Sequence, residues 1–334
     1  MKALVHALLL TTLVCIAGAS AFAQQRQPQP TPTPLPADES GPLRVTARIV
    51  RLPVTVLDKK RQPITGLTMS DFVVYEDKQP QKLEGFFDEK SELPIYVTVL
   101  MDTSYSTAGK LRFEQEAAKD FIYTVARVHK DKVAFGTFDD EVRLLQDFTD
   151  HLDLLDRAVD SIKKPGEKTS LYDAIWLTCD EKMRNVQGKR VIVIITDGVD
   201  TNSRALLRDA IDIAQRTETV IFAISTKAGF AGVVPGVSAG QVKNEEDKDL
   251  DRLCAETGGQ AFFTGDMLAL ERSFTQVARE LRSQYLLTYK PTRPFDGSRR
   301  TIEVKLADAS RKGLEVITRK AYTATDDSVK QKDE

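Results

Sequence analysis

Three short segments of this sequence carry oxygen donors where a fold could bring them together. Val99-Leu100-Met101-Asp102-Thr103-Ser104-Tyr105-Ser106 reads Asp-x-Ser-x-Ser at the end of an apolar run. Val191-Ile192-Val193-Ile194-Ile195-Thr196-Asp197-Gly198 ends a second apolar run on Thr-Asp-Gly. Gly166-Glu167-Lys168-Thr169-Ser170-Leu171-Tyr172-Asp173 opens a helical pattern. If the strands carrying Asp102 and Asp197 are neighbours, the two carboxylates repel unless one takes a proton or a cation sits between them. Nearby Ser and Thr hydroxyls add neutral oxygens, and no imidazole or thiolate stands in these segments. An all-oxygen set selects Mg²⁺, with Mn²⁺ or Ca²⁺ as competitors. Such a shell leaves room for water and for an acidic side chain of a partner. In any one loop, Asp and Ser have a plainer reading as turn formers and helix caps; three convergent loops favour the metal.

The elements that must position these residues follow from hydrophobic period. Between Leu93 and Arg282, Ile95–Met101, Val133–Phe138, Val191–Ile195, Val220–Ile224 and Ala261–Phe263 are short apolar runs without alternation. Such runs suit strands buried on both faces of a largely parallel sheet. Amphipathic spacings separate them: Phe113, Ala117, Phe121, Val125 and Val128; Leu152, Leu155, Val159 and Ile162; Leu270, Phe274, Val277 and Leu281. Shorter helices are expected over Leu171–Met183, Leu206–Arg216 and Leu250–Glu256. The pattern predicts an α/β fold, a doubly wound, mostly parallel sheet with helices on both faces. Ligands of such sheets bind at the carboxyl ends of the strands, where strand order reverses.

The flanks are strand-like. Val50, Leu52, Val54 and Val56 alternate with Arg51, Pro53 and Thr55, the period of a half-buried strand. Phe72–Tyr75, a turn over Glu76–Pro80, and Leu83–Phe87 follow. Beyond the last helix, Tyr285–Tyr289, Ile302–Leu306 and Leu314–Thr318 are further candidates. Each flank is too short to bury enough surface alone. The expectation is one smaller all-β domain built from both, residues 41–90 and 284–322, with the α/β domain at 91–283 inserted between; two separate β appendages are the alternative. Residues 323–334 read as a charged tail.

Residues 1–23 carry a secretory-signal pattern: Lys2, an apolar stretch from Ala3, and Ala21-Phe22-Ala23 as a cleavage site. An N-terminal membrane anchor is the competing reading. Residues 24–40 place proline at 28, 30, 32, 34 and 36, an extended spacer or a disordered tail. No later segment is long and apolar enough to span a membrane. The expected protein is exported, to the periplasm, cell surface or medium.

Composition removes other chemistries. With 47 basic and 49 acidic residues, the chain lacks the basic excess of a nucleic-acid binder. Past the leader, His129, His151, Cys179 and Cys254 are the only imidazoles and thiols, in no zinc-site spacing. Cys179 and Cys254 are expected as buried free thiols, with a disulfide as the alternative. Gly236-Val237-Ser238-Ala239-Gly240 matches Gly-x-Ser-x-Gly, but it has no strand-to-helix context and no downstream His. It is read as a surface loop. Asp139, Asp140 and Asp200 are expected as solvated surface acids.

Taken in order, Asp-x-Ser-x-Ser, Thr-Ser-Leu-Tyr-Asp-Ala-Ile and Ile-Ile-Thr-Asp-Gly resemble the von Willebrand factor A domain and its metal-ion-dependent adhesion site. That resemblance implies Ser104, Ser106 and Thr169 as hydroxyl ligands, and Asp102 and Asp197 as direct or water-mediated ligands. Tyr105, Lys168 and Asp200 would form the partner-binding rim. Tyr105 and Thr107 stand where Gly and Met are frequent, and Glu167-Lys168 replaces a usual glycine; none of these changes removes an oxygen ligand. The flanks Val-Thr-Val-Leu-Asp-Lys-Lys, Ser-Asp-Phe-Val-Val-Tyr-Glu-Asp and Gln-Tyr-Leu-Leu-Thr-Tyr resemble the VWFA-related Acidobacterial domain group, which implies export and adhesion or scaffolding. The expected function is non-enzymatic: binding a protein partner through its Asp or Glu on a divalent cation. A structural envelope component with a vestigial site is the alternative, and a metal-dependent hydrolase a weaker one.

Overall fold

The computed structural model describes residues 49–91, 93–196, 200–226, 245–264, 267–308 and 313–325. The chain begins with strands β1 (Val50–Leu57), β2 (Phe72–Glu76), β3 (Gln79–Gln81) and β4 (Leu83–Phe87). β1 is not half-buried, as its alternation predicts. Seven of its eight residues are buried, because it lies inside a four-stranded sheet and Arg51 ties it to the α/β part. The Arg51 N–H donates to Glu218 Oε1 at 3.0 Å and its guanidinium to the Gly188 carbonyl at 3.0 Å. β3 begins within the expected turn. Asp77 and Lys78 both adopt positive φ, 46° and 65°, a two-residue hairpin turn that lets pairing resume at Gln79.

The α/β part follows. Its strands are β5 (Ile95–Asp102), β6 (Lys132–Phe138), β7 (Val142–Thr149), β8 (Lys189–Thr196), β9 (Thr219–Ser225) and β10 (Ala261–Phe263), in spatial order β10-β9-β8-β5-β6-β7. All pairs are parallel except β6–β7. β7 escapes the apolar-run criterion because it is an antiparallel edge strand with a mostly exposed or half-exposed surface.

Because side chains alternate across a strand, the sheet feeds two cores. Val97, Val99, Met101, Val191, Val193 and Ile195 face helices α1 (Leu111–Val125), α2 (Leu152–Asp160) and α6 (Met267–Ser283). Leu100, Ile192 and Ile194 face α3 (Leu171–Leu177), α4 (Leu207–Arg216) and α5 (Glu245–Thr257). Each such buried aliphatic contributes about 1.5–3 kcal/mol relative to exposure. Three helices stop earlier than their spacing predicts; α2 ends at Asp160, short of Ile162. α1 ends at Val125, leaving Val128 in a turn at 50% exposure. α3 ends at Leu177 and passes into a π turn over Thr178–Lys182 and a 3₁₀ turn over Met183–Asn185. Cys179 and Cys254 are buried free thiols, and burial pushes the Cys179 pKa up to about 12, which keeps it protonated and unreactive.

After α6 come β11 (Tyr285–Tyr289), β12 (Arg299–Leu306), β13 (Glu315–Ile317) and β14 (Ala321–Thr323). Strands from the two flanks share sheets: one has order β13-β1-β11-β4, the other β14-β12-β2-β3. Val54, Phe72, Val74, Tyr285, Leu287, Ile302 and Val304 are part of a common core. A buried polar knot joins the two sheets. Glu76 Oε2 accepts from the hydroxyls of Tyr289 at 2.7 Å and Tyr322 at 2.8 Å. Its Oε1 accepts from the fully buried Arg300 guanidinium at 2.9 Å. Arg300 also donates to the Pro294 carbonyl and lies 5.7 Å from the Phe295 ring centroid.

Removing one member of such a knot leaves a buried charge without its partner. Glu76→Ala is expected to cost about 3–5 kcal/mol in urea unfolding. Glu303→Gln, on the exposed face of β12, is expected to stay within about 0.5 kcal/mol.

Candidate metal centre

The chain leaves β5 toward β6 on one side, while β8 pairs β5 on the other. Strand order therefore reverses between β5 and β8, the place where an open α/β sheet leaves a crevice at its carboxyl edge. Asp102 is the last residue of β5 and is fully buried there. Its Oδ1 accepts from the Ser104 N–H at 2.9 Å, and its Oδ2 from the Thr196 hydroxyl at 2.6 Å. Thr196 ends β8, so this bond crosses the reversal. These two donors fix the orientation of the carboxylate.

The loop after Asp102 turns tightly into α1. Thr107 Oγ1 donates to the Ser104 carbonyl at 2.9 Å, and the Thr103 N–H to the Phe138 carbonyl at 3.0 Å. This folding sets the hydroxyls of Ser104 and Ser106 3.0 Å apart. Adjacent ligands on an octahedral Mg²⁺ with bonds of about 2.1 Å are separated by about 3 Å. The two hydroxyls are hydrogen-bonded to each other, at a separation two neighbouring ligands could also keep, and the donor chemistry fits a hard cation. Ser104 is buried, Ser106 exposed, so the pair reaches from the crevice to its mouth.

The loop carrying Thr169 is fastened to the same edge, its Gly166 N–H donating to the Thr103 carbonyl at 2.8 Å. Thr169 is buried, and among the described residues its hydroxyl has no hydrogen-bond partner. Its backbone is stitched to the segment after β8: Thr169 N–H donates to Thr201 Oγ1 at 2.9 Å, and its carbonyl accepts from Thr201 and Asn202 N–H at 2.9 and 3.0 Å. Asp197 lies outside the described residues, as does Gly236–Gly240. Among the described residues no group of three or more His, Cys, Asp or Glu is assembled for a metal.

The rim residues differ in what they are free to do. Tyr105 stands 73% exposed. Lys168 Nζ donates to Asn202 Oδ1 at 3.2 Å, an exposed contact. Asp200 is engaged: its Oδ1 accepts from Leu171 N–H at 2.8 Å, Tyr172 N–H at 3.3 Å and Ser203 Oγ at 2.6 Å. It caps α3 from a neighbouring loop, where the residue before the helix, Ser170, makes no side-chain cap. Asp139, expected on a solvated surface, is instead buried. Its Oδ2 accepts from Thr103 Oγ1 at 2.9 Å and Arg143 at 3.0 Å, and its Oδ1 from Glu141 N–H at 3.1 Å. It anchors the Asp102 loop to the β6–β7 turn. Asp140 is exposed, as expected, and accepts from Glu167 N–H at 2.7 Å. Thr196 and Thr201 are the residues that sequence reasoning passed over. Thr196 stood inside a motif already singled out, next to Asp197, and only the strand register pairs it with Asp102.

The sequence profile of the von Willebrand factor type A domain matches residues 97–276. This is more than half of the chain, and the chain belongs to that family. A search of curated proteins finds no match. Among solved structures it is similar to the PilB minor pilin of Streptococcus sanguinis, at 12% identity and a TM-score of 0.43, over 58% of this chain and 62% of that one. It is similar to the conserved hypothetical protein BatB of Bacteroides thetaiotaomicron, at 15% identity and 0.41, over 57% and 100%. It is also similar to proximal thread matrix protein 1 of the mussel byssus, in a structure with a zinc-occupied MIDAS motif, at 14% identity and 0.46, over 61% and 50%. The chain thus spans less than two thirds of the length of the pilin.

Asp200→Ala is expected to cost about 1–2 kcal/mol, the loss of a helix cap, and to speed amide exchange at Leu171 and Tyr172. Unchanged exchange at both amides would show that α3 does not depend on this side chain.

Proposed function

We propose that this chain is an exported, non-enzymatic binding protein whose von Willebrand factor A domain holds one divalent cation, Mg²⁺ by preference, through which it captures an acidic side chain of a protein partner. Ser104, Ser106 and Thr169 would supply hydroxyl ligands, with Asp102 and Asp197 bound directly or through water. When bound, the cation offers an open coordination position to a carboxylate. The observation that carries the reading is the 3.0 Å pair of Ser104 and Ser106 hydroxyls beside the buried, doubly bonded Asp102 at the strand-order reversal. Mn²⁺ and Ca²⁺ take the same oxygen ligands with different geometry, so competition among the three ions reads out the size of the site.

The chain's own residues favour binding over hydrolysis. His129 precedes β6 and His151 follows β7. Since β7 runs antiparallel to β6, both imidazoles sit at the edge of the sheet opposite Asp102. The described residues therefore bring neither imidazole to the crevice as a candidate general base. Export, to the periplasm or cell surface, is part of the same proposal and rests on the leader pattern of residues 1–23. Likeness of the whole chain to the VWFA-related Acidobacterial group rests on the flanking motifs. No helix among the described residues is long and apolar enough to cross a membrane.

Calorimetric titration of Mg²⁺ and Mn²⁺ is expected to show one saturable site, absent in Asp102→Ala and in a Ser104→Ala/Ser106→Ala double variant. At a hundredfold excess over Kd the ion is expected to raise unfolding stability by about 2.7 kcal/mol. Partner capture from envelope extract is expected to vanish with chelator. No binding heat with the wild-type chain would overturn the metal reading and leave a structural role.

A further inference from the structure

We infer that a second subsite beside the proposed metal centre takes a cationic side chain, Lys or Arg, from the same partner; the inference rests on the proposed function only for the partner being shared. A cavity of about 590 Å³ opens at the carboxyl edge of the sheet. Its walls come from the β6–β7 turn (Asp140, Glu141), from α3 (Asp173, Trp176) and from the loop after β8 (Asn202, Arg204). It is continuous with the metal face. Asn202 Nδ2 donates to Ser170 Oγ at 3.0 Å, and the Asn202 N–H donates to the carbonyl of Thr169.

Two features of the walls select a cation. Trp176, the chain's single tryptophan, is 38% exposed, though large aromatics usually hide most of their surface. An indole ring lining a cavity can attract an ammonium or guanidinium group. Two of the three carboxylates lining the cavity have no ion-pair partner among the described residues. Among the described residues Asp173 accepts only from backbone N–H groups, of Arg204 at 3.0 Å and Ala205 at 2.8 Å. Neither it nor Asp140 has an ion-pair partner among the described residues. Glu141 meets Arg143 at 3.5 Å, with its own side chain 74% exposed. Against these three acids the cavity lining offers one cation, the exposed Arg204. A neutral side chain filling the cavity would strip water from the carboxylates without replacing it, and a second acid would be repelled.

The asymmetry extends across Asn202. On its other side stands Lys168, bonded to the Asn202 amide oxygen, next to Thr169. One half of the face is thus set for an anion and the adjoining half for a cation. A partner segment carrying an acid and a base close together in sequence matches both halves, and the reverse arrangement meets like charges on each.

Trp176 makes the test direct, because it is the chain's single tryptophan and lines this cavity. N-acetyl-arginine amide is expected to change it saturably, and N-acetyl-glutamine amide is not. The response should persist in chelator, weaken about three- to tenfold in Asp140→Asn/Glu141→Gln, and strengthen in Arg204→Gln, a gain that misfolding cannot produce. Equal responses to the two amides, or unchanged affinity in an Asp140→Asn/Glu141→Gln protein that melts like the parent, would overturn the subsite. A second arm uses capped peptides holding one Asp and either Arg or Gln. Preference for the Arg peptide in both Mg²⁺ and chelator, with no gain from Mg²⁺, would leave the cavity standing and remove the metal reading; preference with a gain from Mg²⁺ supports both.

Discussion

Strand β5 is hydrogen-bonded along both edges, to β8 and β6, and packed on both faces, Val97, Val99 and Met101 on one and Leu100 on the other. A parallel strand so enclosed has a fixed register, since a shift of one residue would exchange the residues of its two faces. Right-handed crossovers then carry the chain away from β5 to opposite sides, so helices cannot cover the gap at its carboxyl end. Asp102 ends in that gap because it is the last residue the register allows on the strand. Its carboxylate is tolerable there because Ser104 N–H and Thr196 Oγ1 donate to it. Each loop of the candidate site is in turn tied to another: the 166–169 segment to Thr103, the 200–205 segment to Thr169 and Asp173, and the β6–β7 turn to Thr103 through Asp139.

The β-layers impose a related constraint on the ends of the α/β part. The chain passes from β4 into β5 and returns from α6 into β11, and β4 and β11 are antiparallel neighbours, Phe87 opposite Leu286. The entry and exit of about 190 residues are thereby held at the spacing of adjacent strands. Closing so long a loop costs only slightly more than closing a short one, so the arrangement carries little entropic penalty once β4 and β11 pair. The contact is reinforced where Lys189, at the start of β8, donates to the Gln284 carbonyl just before β11. Burial pushes the Lys189 pKa down to about 8, so this ammonium is held with little surplus near neutral pH. The central sheet and the β-layers therefore meet through charged side chains as well as through the chain itself.

What was legible from the residues alone follows from how each element is buried. β5, β6, β8, β9 and β10 announced themselves because strands covered on both faces must be apolar throughout, and their observed ends lie within two residues of the apolar runs. β7 did not, because Arg143, Leu144, Gln146 and Asp147 face water or its edge, and no rule of burial marks such a strand. β14 is three residues long, too short for any period. In the site, Asp102, Ser104, Ser106 and Thr169 stood out by type and spacing. The bond from Thr196 to Asp102 depends on register between strands 94 positions apart. The capping of α3 by Asp200 depends on a loop folding back across 29 positions. An acid near a strand end looks the same in sequence whether it faces solvent, as Asp140 does, or is buried under Arg143, as Asp139 is. Only the packing separates them.

The chemistry of the donor set bears on why such a site would bind an anion at all. A dication enclosed by several carboxylates is neutralised, and a partner carboxylate gains little by approaching it. Hydroxyl oxygens from Ser104, Ser106 and Thr169 would bring no charge. Asp102, already accepting from two donors, has part of its charge spent on Thr196 and the Ser104 amide. With Asp102 and Asp197 reached through water rather than bound directly, a cation held by such groups would keep a net positive field at its open side, and a buried, low-dielectric crevice would screen that field less than water does. Attraction for an acidic side chain then follows from the scarcity of negative ligands. Lys168, next to Thr169 in sequence and donating to Asn202, would add its charge to that pull.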